Sequence, residues 1–361
     1  MIIYPLTLLF TVLSVVSLQE NTSFYRKSGP VYAWQYFFCW VLMFLVFGLR
    51  YEVGTDYAGY VRMFETLGMT VHTQEWEPLF YGIGWLGMRM FDSGPVTLSV
   101  IFGASFALVI YTISKHSPHA WLSVLLFFGA NFSFLYCNQV RQCLAISICF
   151  ASVILIIRNK PIAFVCLMAA AVCIHKSSLL FAPAFFVRYI PFSKKALVII
   201  LVLSLVGAGA LMPDVTGMVN TASEAVYEGG YTSSLEKSSE ADRDIGMGLR
   251  YLFMNIVCLT CILVAPKKMS ISAQCVIILF VIGQVMFNMF IGVYALARMS
   301  YYYSIFVVLA VPYTLSMVAD LRVRIFTIAG FSLCFSALFL RAISTNSHNV
   351  VPYRSLLQDK K

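Results

Sequence analysis

The segment GLRYEVGTDYAGY, residues 48 to 60, brings Arg50, Asp56, Tyr57 and Tyr60 together directly after an apolar run. Asp56 and Tyr60 are four apart, Arg50 and Tyr57 flank them, and Gly54 and Gly59 allow close backbone approach. A carboxylate takes hydroxyl hydrogens, a guanidinium grips phosphate oxygens in a fork, and rings stack on sugar C–H faces. The set therefore suits a sugar attached to phosphate. The competing reading is a structured loop that caps its helix.

Three further segments carry comparable chemistry. In YCNQVRQCLAIS, residues 136 to 147, Asn138, Arg141 and Gln142 fall at i, i+3 and i+4 and share one helix face, rich in hydrogen-bond donors. The alternative there is a polar clamp between helices. In VYALARMSYYYS, Arg298 sits between Tyr294 and Tyr301 at helical spacing, a pattern also found at ordinary membrane interfaces. In CIHKSSLLFAPAFF, His175 and Lys176 lie where one apolar run ends and the next begins. A neutral imidazole can accept a proton near physiological pH, as a general base must, although a lone histidine also serves as a packing group. Arg250 joins the set by charge and position. There is no HExxH or other metal-ligand pattern, no Gly-x-Ser-x-Gly elbow and no P-loop, and no cofactor is expected. Cys258 and Cys261 lie in an apolar helix without histidine and read as packing residues.

The elements that must position these residues are apolar. Of 361 residues, 60% are hydrophobic and 11% charged, and many runs reach the length that crosses a bilayer. A membrane-buried backbone must satisfy its own hydrogen bonds, and the runs do not alternate as barrel strands would. The expected fold is all-α, one polytopic membrane bundle over residues 1–361. It has about 12 transmembrane helices, at about 2–18, 33–49, 95–113, 121–136, 139–157, 161–175, 178–192, 196–212, 249–265, 271–290, 301–318 and 325–343. The first run has no basic residue before it and no small-residue cleavage site after it, and reads as a retained helix. The run at 79–91 is short and reads as re-entrant or interfacial. With that count, the loops rich in Lys and Arg fall on one side, which is then cytoplasmic. Most acids, both termini and the long polar loop 213–248 fall opposite, as do Arg50, Asp56, Arg141, His175, Lys176, Arg250 and Arg298. The net charge of +9 is spread over many short loops, so nucleic acid is not an expected partner.

Taken together, RYEVGTDYAGYVRMFE (50–65), NQVRQCLAISICFAS (138–152) and IHKSSLLFAPAFF (174–186) resemble the EpsG-type branch of the Wzy polymerases, bacterial membrane enzymes that join polysaccharide repeat units. The likeness covers much of residues 33 to 190, with weaker echoes around Arg298 and in VPYRS, 351 to 355. It reaches Arg50, Gly54, Asp56, Tyr57, Tyr60, Asn138, Arg141, Gln142, His175 and Lys176, and nothing in the long loop. The resemblance implies a metal-independent glycosyltransferase in the bacterial cytoplasmic (inner) membrane, with its site facing the periplasm, or the exterior of a Gram-positive cell. The implied donor is a growing glycan on undecaprenyl pyrophosphate, and the acceptor is the free sugar end of a single lipid-linked repeat unit.

For that reaction, Arg141 and Arg298 are assigned to the pyrophosphate, with Arg50 and Arg250 as further candidates. His175 is favoured over Asp56 as the base, and Tyr57, Tyr60, Tyr294 and Tyr301 line the glycan path. Membrane lipid and a chain-length regulator are the other expected partners. An O-antigen ligase shares the chemistry. A lipid-linked sugar flippase would want a cavity open to both sides, and no internal repeat is seen. A membrane-bound O-acyltransferase would use Asn138 and His175 but leave the arginines unexplained.

Overall fold

A computed structural model describes residues 1–16, 30–67, 77–210, 245–291 and 294–358. Among them helix is the dominant structure and no strand occurs, apart from one isolated β-bridge between Arg50 and Ser355. Proline and short polar caps set the helix starts. Pro78 and Pro161 open α4 (Pro78–Phe91) and α10 (Pro161–Ile174), where a missing N–H costs nothing. Ser93 and Asp320 cap α5 (Gly94–His116) and α17 (Leu321–Ser344) by accepting from backbone N–H groups two or three residues on.

The chain divides into two compact units, Met1–Phe185 with Val318–Lys361, and Phe186–Met317. The first contains α1 (Ile3–Val16), α2 (Pro30–Met43) running into a π-helical turn at Phe44–Gly48, and α3 (Tyr57–Glu65). It continues with α4, α5, α6 (Ala120–Gly129), α7 (Phe132–Asn138), α8 (Val140–Ala151), α9 (Val153–Ile157), α10 and finally α17. Here α5 packs on α8, α1 on α2 and α6, α17 on α6, and α10 on α8. Aromatic rings fill the middle: Phe134 stacks on Phe339 at 5.1 Å, and Phe106 stacks on Tyr136 at 5.6 Å while the Tyr136 hydroxyl bonds Ser147.

The second unit contains α11 (Lys194–Ala210), α12 (Ile245–Val264), α13 (Ile271–Phe290), α14 (Tyr294–Met299), α15 (Tyr301–Ser304) and α16 (Val307–Ser316). Lipid gives apolar side chains little reason to prefer one another, so close packing and polar ties must specify the helix pairs. Both occur. A Cβ on Gly283 would meet the backbone of Ser304 at 2.5 Å, so only glycine lets α13 and α15 approach this closely. Asn288, fully buried on α13, donates to Ser204 of α11 at 2.8 Å and to Asn255 of α12 at 2.9 Å, and accepts from Gln284 at 2.9 Å.

The all-helical expectation holds, and helical structure occurs at each predicted span. By length and apolarity, four described helices can cross a membrane: Gly94–His116, Val140–Ile157, Ile271–Phe290 and Leu321–Ser344. A fifth is the pair α6 and α7 taken as one bent span. That pair bends by 53° at Asn131, whose left-handed backbone (φ 64°) breaks the predicted 121–136 helix. The predicted span 178–192 is a 3-10 stretch, Lys176–Tyr189, with Pro183 inside it. The predicted span 301–318 is split into α15 and α16, two short helices. At about 1.5 Å per residue α4 is only about 21 Å long, short for a bilayer core of about 30 Å. Most of the long loop 213–248 lies outside the described residues.

Candidate functional site

A glutamate that the sequence did not single out stands at the centre. Glu77 precedes Pro78 and so takes an extended backbone (φ −66°, ψ 132°) at the mouth of α4, with its side chain buried. Its Oε1 lies 3.0 Å from His175 Nδ1 and accepts the Lys176 backbone N–H at 3.3 Å. Its Oε2 accepts from Arg141 Nη1 at 3.1 Å. The Tyr60 side chain is also hydrogen-bonded to Arg141, and Asp56 acts electrostatically on Tyr60. Elements far apart in sequence thus meet at one carboxylate: the α10 C-terminus supplies His175 and α8 supplies Arg141, while α3 adds Tyr60 through Arg141.

Electrostatics keep the carboxylate charged. Burial alone would raise Glu77, but a hydrogen bond from its own backbone, Arg141 and His175 outweigh it and hold the group below its ordinary value. Burial pushes the Tyr60 phenol up, against the pull of Arg141. Arg141 keeps about a third of its side chain exposed, so a ligand can reach it. One acid therefore organises an imidazole and an accessible guanidinium, which are the parts that proton removal and anion binding require.

Other predicted residues are placed differently. Arg50 is fully buried and donates to three backbone carbonyls: from Nε to Val53 at 3.0 Å, from Nη1 to Phe47 at 2.8 Å and from Nη2 to Cys137 at 2.9 Å. Its guanidinium lies 3.8 Å from the Phe102 ring centroid and 5.5 Å from that of Tyr57. Gly54, with φ of 100°, approaches the protein itself: a Cβ there would meet Asn138 Oδ1 at 2.7 Å and Cys137 O at 2.9 Å. Asn138 accepts the Thr55 N–H at 2.9 Å and donates to the His348 carbonyl at 3.2 Å, which ties its amide to the loop and the tail. Asp56 is exposed at the start of α3 without a side-chain cap bond; Gln142 is buried and Lys176 exposed.

The C-terminal tail completes this region. Tyr51 N–H donates to Arg354 O at 3.0 Å, Leu356 N–H to Leu49 O at 2.8 Å and Gly54 N–H to Asn349 O at 2.9 Å. The buried Tyr4 hydroxyl donates to Val350 O at 2.6 Å, and Arg354 pairs with Glu52 at 2.6 Å.

Arg250 on α12, Arg298 on α14 and Tyr301 on α15 belong to the second unit, each half-buried. A break at Ser300 puts Arg298 and Tyr301 on separate short helices. The Tyr294 side chain lies outside the described residues.

Glu77 was missed because its partners lie 64 and 98 residues away, beyond any local spacing. The available signal was an acid directly before a proline that opens an apolar helix.

A family model described as the EpsG family matches residues 33–355, a longer reach than the motifs alone suggest. No curated protein and no solved structure matches the chain.

Proposed function

The chain belongs to the EpsG family, membrane proteins of polysaccharide synthesis, and from that premise we propose that it is a polymerase of lipid-linked repeat units. It works at the periplasmic face of the bacterial inner membrane, or the outer face in a Gram-positive cell, with the basic loops in the cytoplasm and about 12 helical passages counting the broken ones. Its donor is a glycan on undecaprenyl pyrophosphate. The acceptor is one further lipid-linked unit, and a chain-length regulator is a natural partner.

In the reaction an acceptor hydroxyl oxygen attacks the anomeric carbon of the donor. The new C–O bond forms as the bond from that carbon to the diphosphate oxygen breaks, and the electron pair leaves with the lipid diphosphate. His175 takes the hydroxyl proton. Arg141 meets the charge that grows on the diphosphate, where one aimed donor is worth roughly 2.7–4 kcal/mol in the transition state. Arg298 and Arg250 are anion-binding candidates of the second unit, and in the first unit Asp56 orients a sugar beside Tyr57 and Tyr60. Gln142 and Lys176 are substrate contacts of the first unit, Tyr294 and Tyr301 are glycan-contact candidates of the second, and no metal is required. Arg50 and Asn138 serve by holding the loop that carries Asp56.

The observation that carries this reading is the meeting of His175 and Arg141 on the two oxygens of Glu77. The test is to delete the gene and run the surface glycan on a gel. A polymerase mutant retains single repeat units on the cell. Loss of attachment would indicate a ligase, loss of export a flippase, and unchanged length and attachment an acyltransferase, each of which overturns the proposal.

A further inference from the structure

We propose that Glu77 is a positioning residue of the transfer reaction: it sets the ring of His175 and holds Arg141 as an exchangeable counter-ion until a diphosphate takes its place. The inference rests on the reading of His175 as base and Arg141 as diphosphate contact.

The hydrogen-bond chemistry fixes the tautomer. An ionised carboxylate only accepts, so the 3.0 Å contact requires His175 Nδ1 to carry the hydrogen, and in the neutral ring the lone pair then resides on Nε2. The ring's orientation is anchored as well. The oxygen that receives Nδ1 also receives the Lys176 N–H, so the main chain beyond the histidine and the imidazole share one acceptor. On the other side, Pro78 restrains the backbone of Glu77 to the extended form it shows.

The second oxygen acts differently. Arg141 contacts it through one nitrogen at 3.1 Å, a single bond rather than a fork, and the guanidinium is partly exposed. A diphosphate offers several charged oxygens and can engage two N–H groups at once. Once Arg141 turns to the donor, the buried Glu77 carboxylate keeps His175 and the Lys176 N–H. Its charge then favours the imidazolium more strongly, so the base strengthens as the leaving group is bound. The proton passes from the acceptor hydroxyl to Nε2, the imidazolium stays beside Glu77, and the proton is later returned to solvent. Among the described residues, the charged and titratable groups around this pair include Arg141 from α8, Tyr60 and Asp56 at α3, and Lys176 next in the chain.

The experiment uses the purified full-length protein in detergent, with lipid-linked repeat units extracted from cells lacking it as the probe. Chain growth is followed against pH for the wild type, Glu77→Gln, Glu77→Asp, His175→Ala and Arg141→Lys. Glu77→Gln keeps an acceptor for Nδ1 and removes the charge. It is expected to lower kcat about 10- to 100-fold, to move the acid limb of the profile to lower pH, and to leave the donor KM unchanged or reduced, because Arg141 loses its competitor. Glu77→Asp keeps the charge and should keep the limb in place with a smaller loss of kcat. An unmoved limb in Glu77→Gln, or a limb in Glu77→Asp displaced as far as in Glu77→Gln, overturns the inference. If Glu77→Gln does not fold, the position of the limb in Glu77→Asp decides: the wild-type position supports the inference and a displaced one overturns it. Wild-type chain growth in His175→Ala and Arg141→Lys would instead overturn the proposed function on which it rests.

Discussion

Arg50 and Arg141 both stand at the ends of apolar helices in the same unit, yet their surroundings divide them. Arg50 is spent on three backbone carbonyls and two aromatic faces. No single anion can replace that set without unmaking the loop. Arg141 is held by a side-chain carboxylate and a phenol, partners for which another anion can substitute. Two guanidiniums of identical chemistry therefore differ in availability, and the partner rather than the residue decides which one can serve a substrate.

That contrast can be broken in order of expected effect. Arg50→Ala would orphan three buried carbonyls and should cost about 3–5 kcal/mol, read as a lower melting temperature and poor yield from membranes. Arg141→Ala should leave yield near normal and reduce chain growth about 100-fold or more, equivalent to roughly 2.7–4 kcal/mol of transition-state stabilisation. Equal loss of yield in the two variants would erase the distinction. Gly54→Ala places a methyl group against Asn138 and Cys137 in a left-handed backbone. A loss of about 1–3 kcal/mol by thermal melting is expected, and an unchanged midpoint would mean the loop is looser than its contacts imply. The pair Glu52 and Arg354 is more than half exposed on both sides. Glu52→Gln should therefore change stability by only about 0.2–1 kcal/mol, and a larger shift would show that the tail depends on charge rather than on its backbone bonds.

Much of the helical architecture was legible because apolar runs and their breakers are local signals. Ile271–Phe290 coincides with its expected span. Local signals do not foretell where a run bends, and Asn131 and the turn at Ile305 and Phe306 interrupt helices that the apolar pattern draws as continuous. At the site, His175, Arg141 and Tyr60 were legible by type and by their place at helix ends. The fate of Arg50 was not, since one arginine before a glycine-bearing loop reads equally as a ligand contact or a pin. Only the carbonyls of Phe47, Val53 and Cys137 separate the two. Glu77 meets partners distant in sequence, and the proline after it is a local signal of its backbone only.

The hold of residues 349–356 on the Leu49–Gly54 loop has a consequence for biogenesis. The loop's partners are synthesised only after all of Phe186–Met317, so during translation the loop must wait for its clasp. A chain truncated before Asn349 would carry its helices into the membrane with this region unfastened.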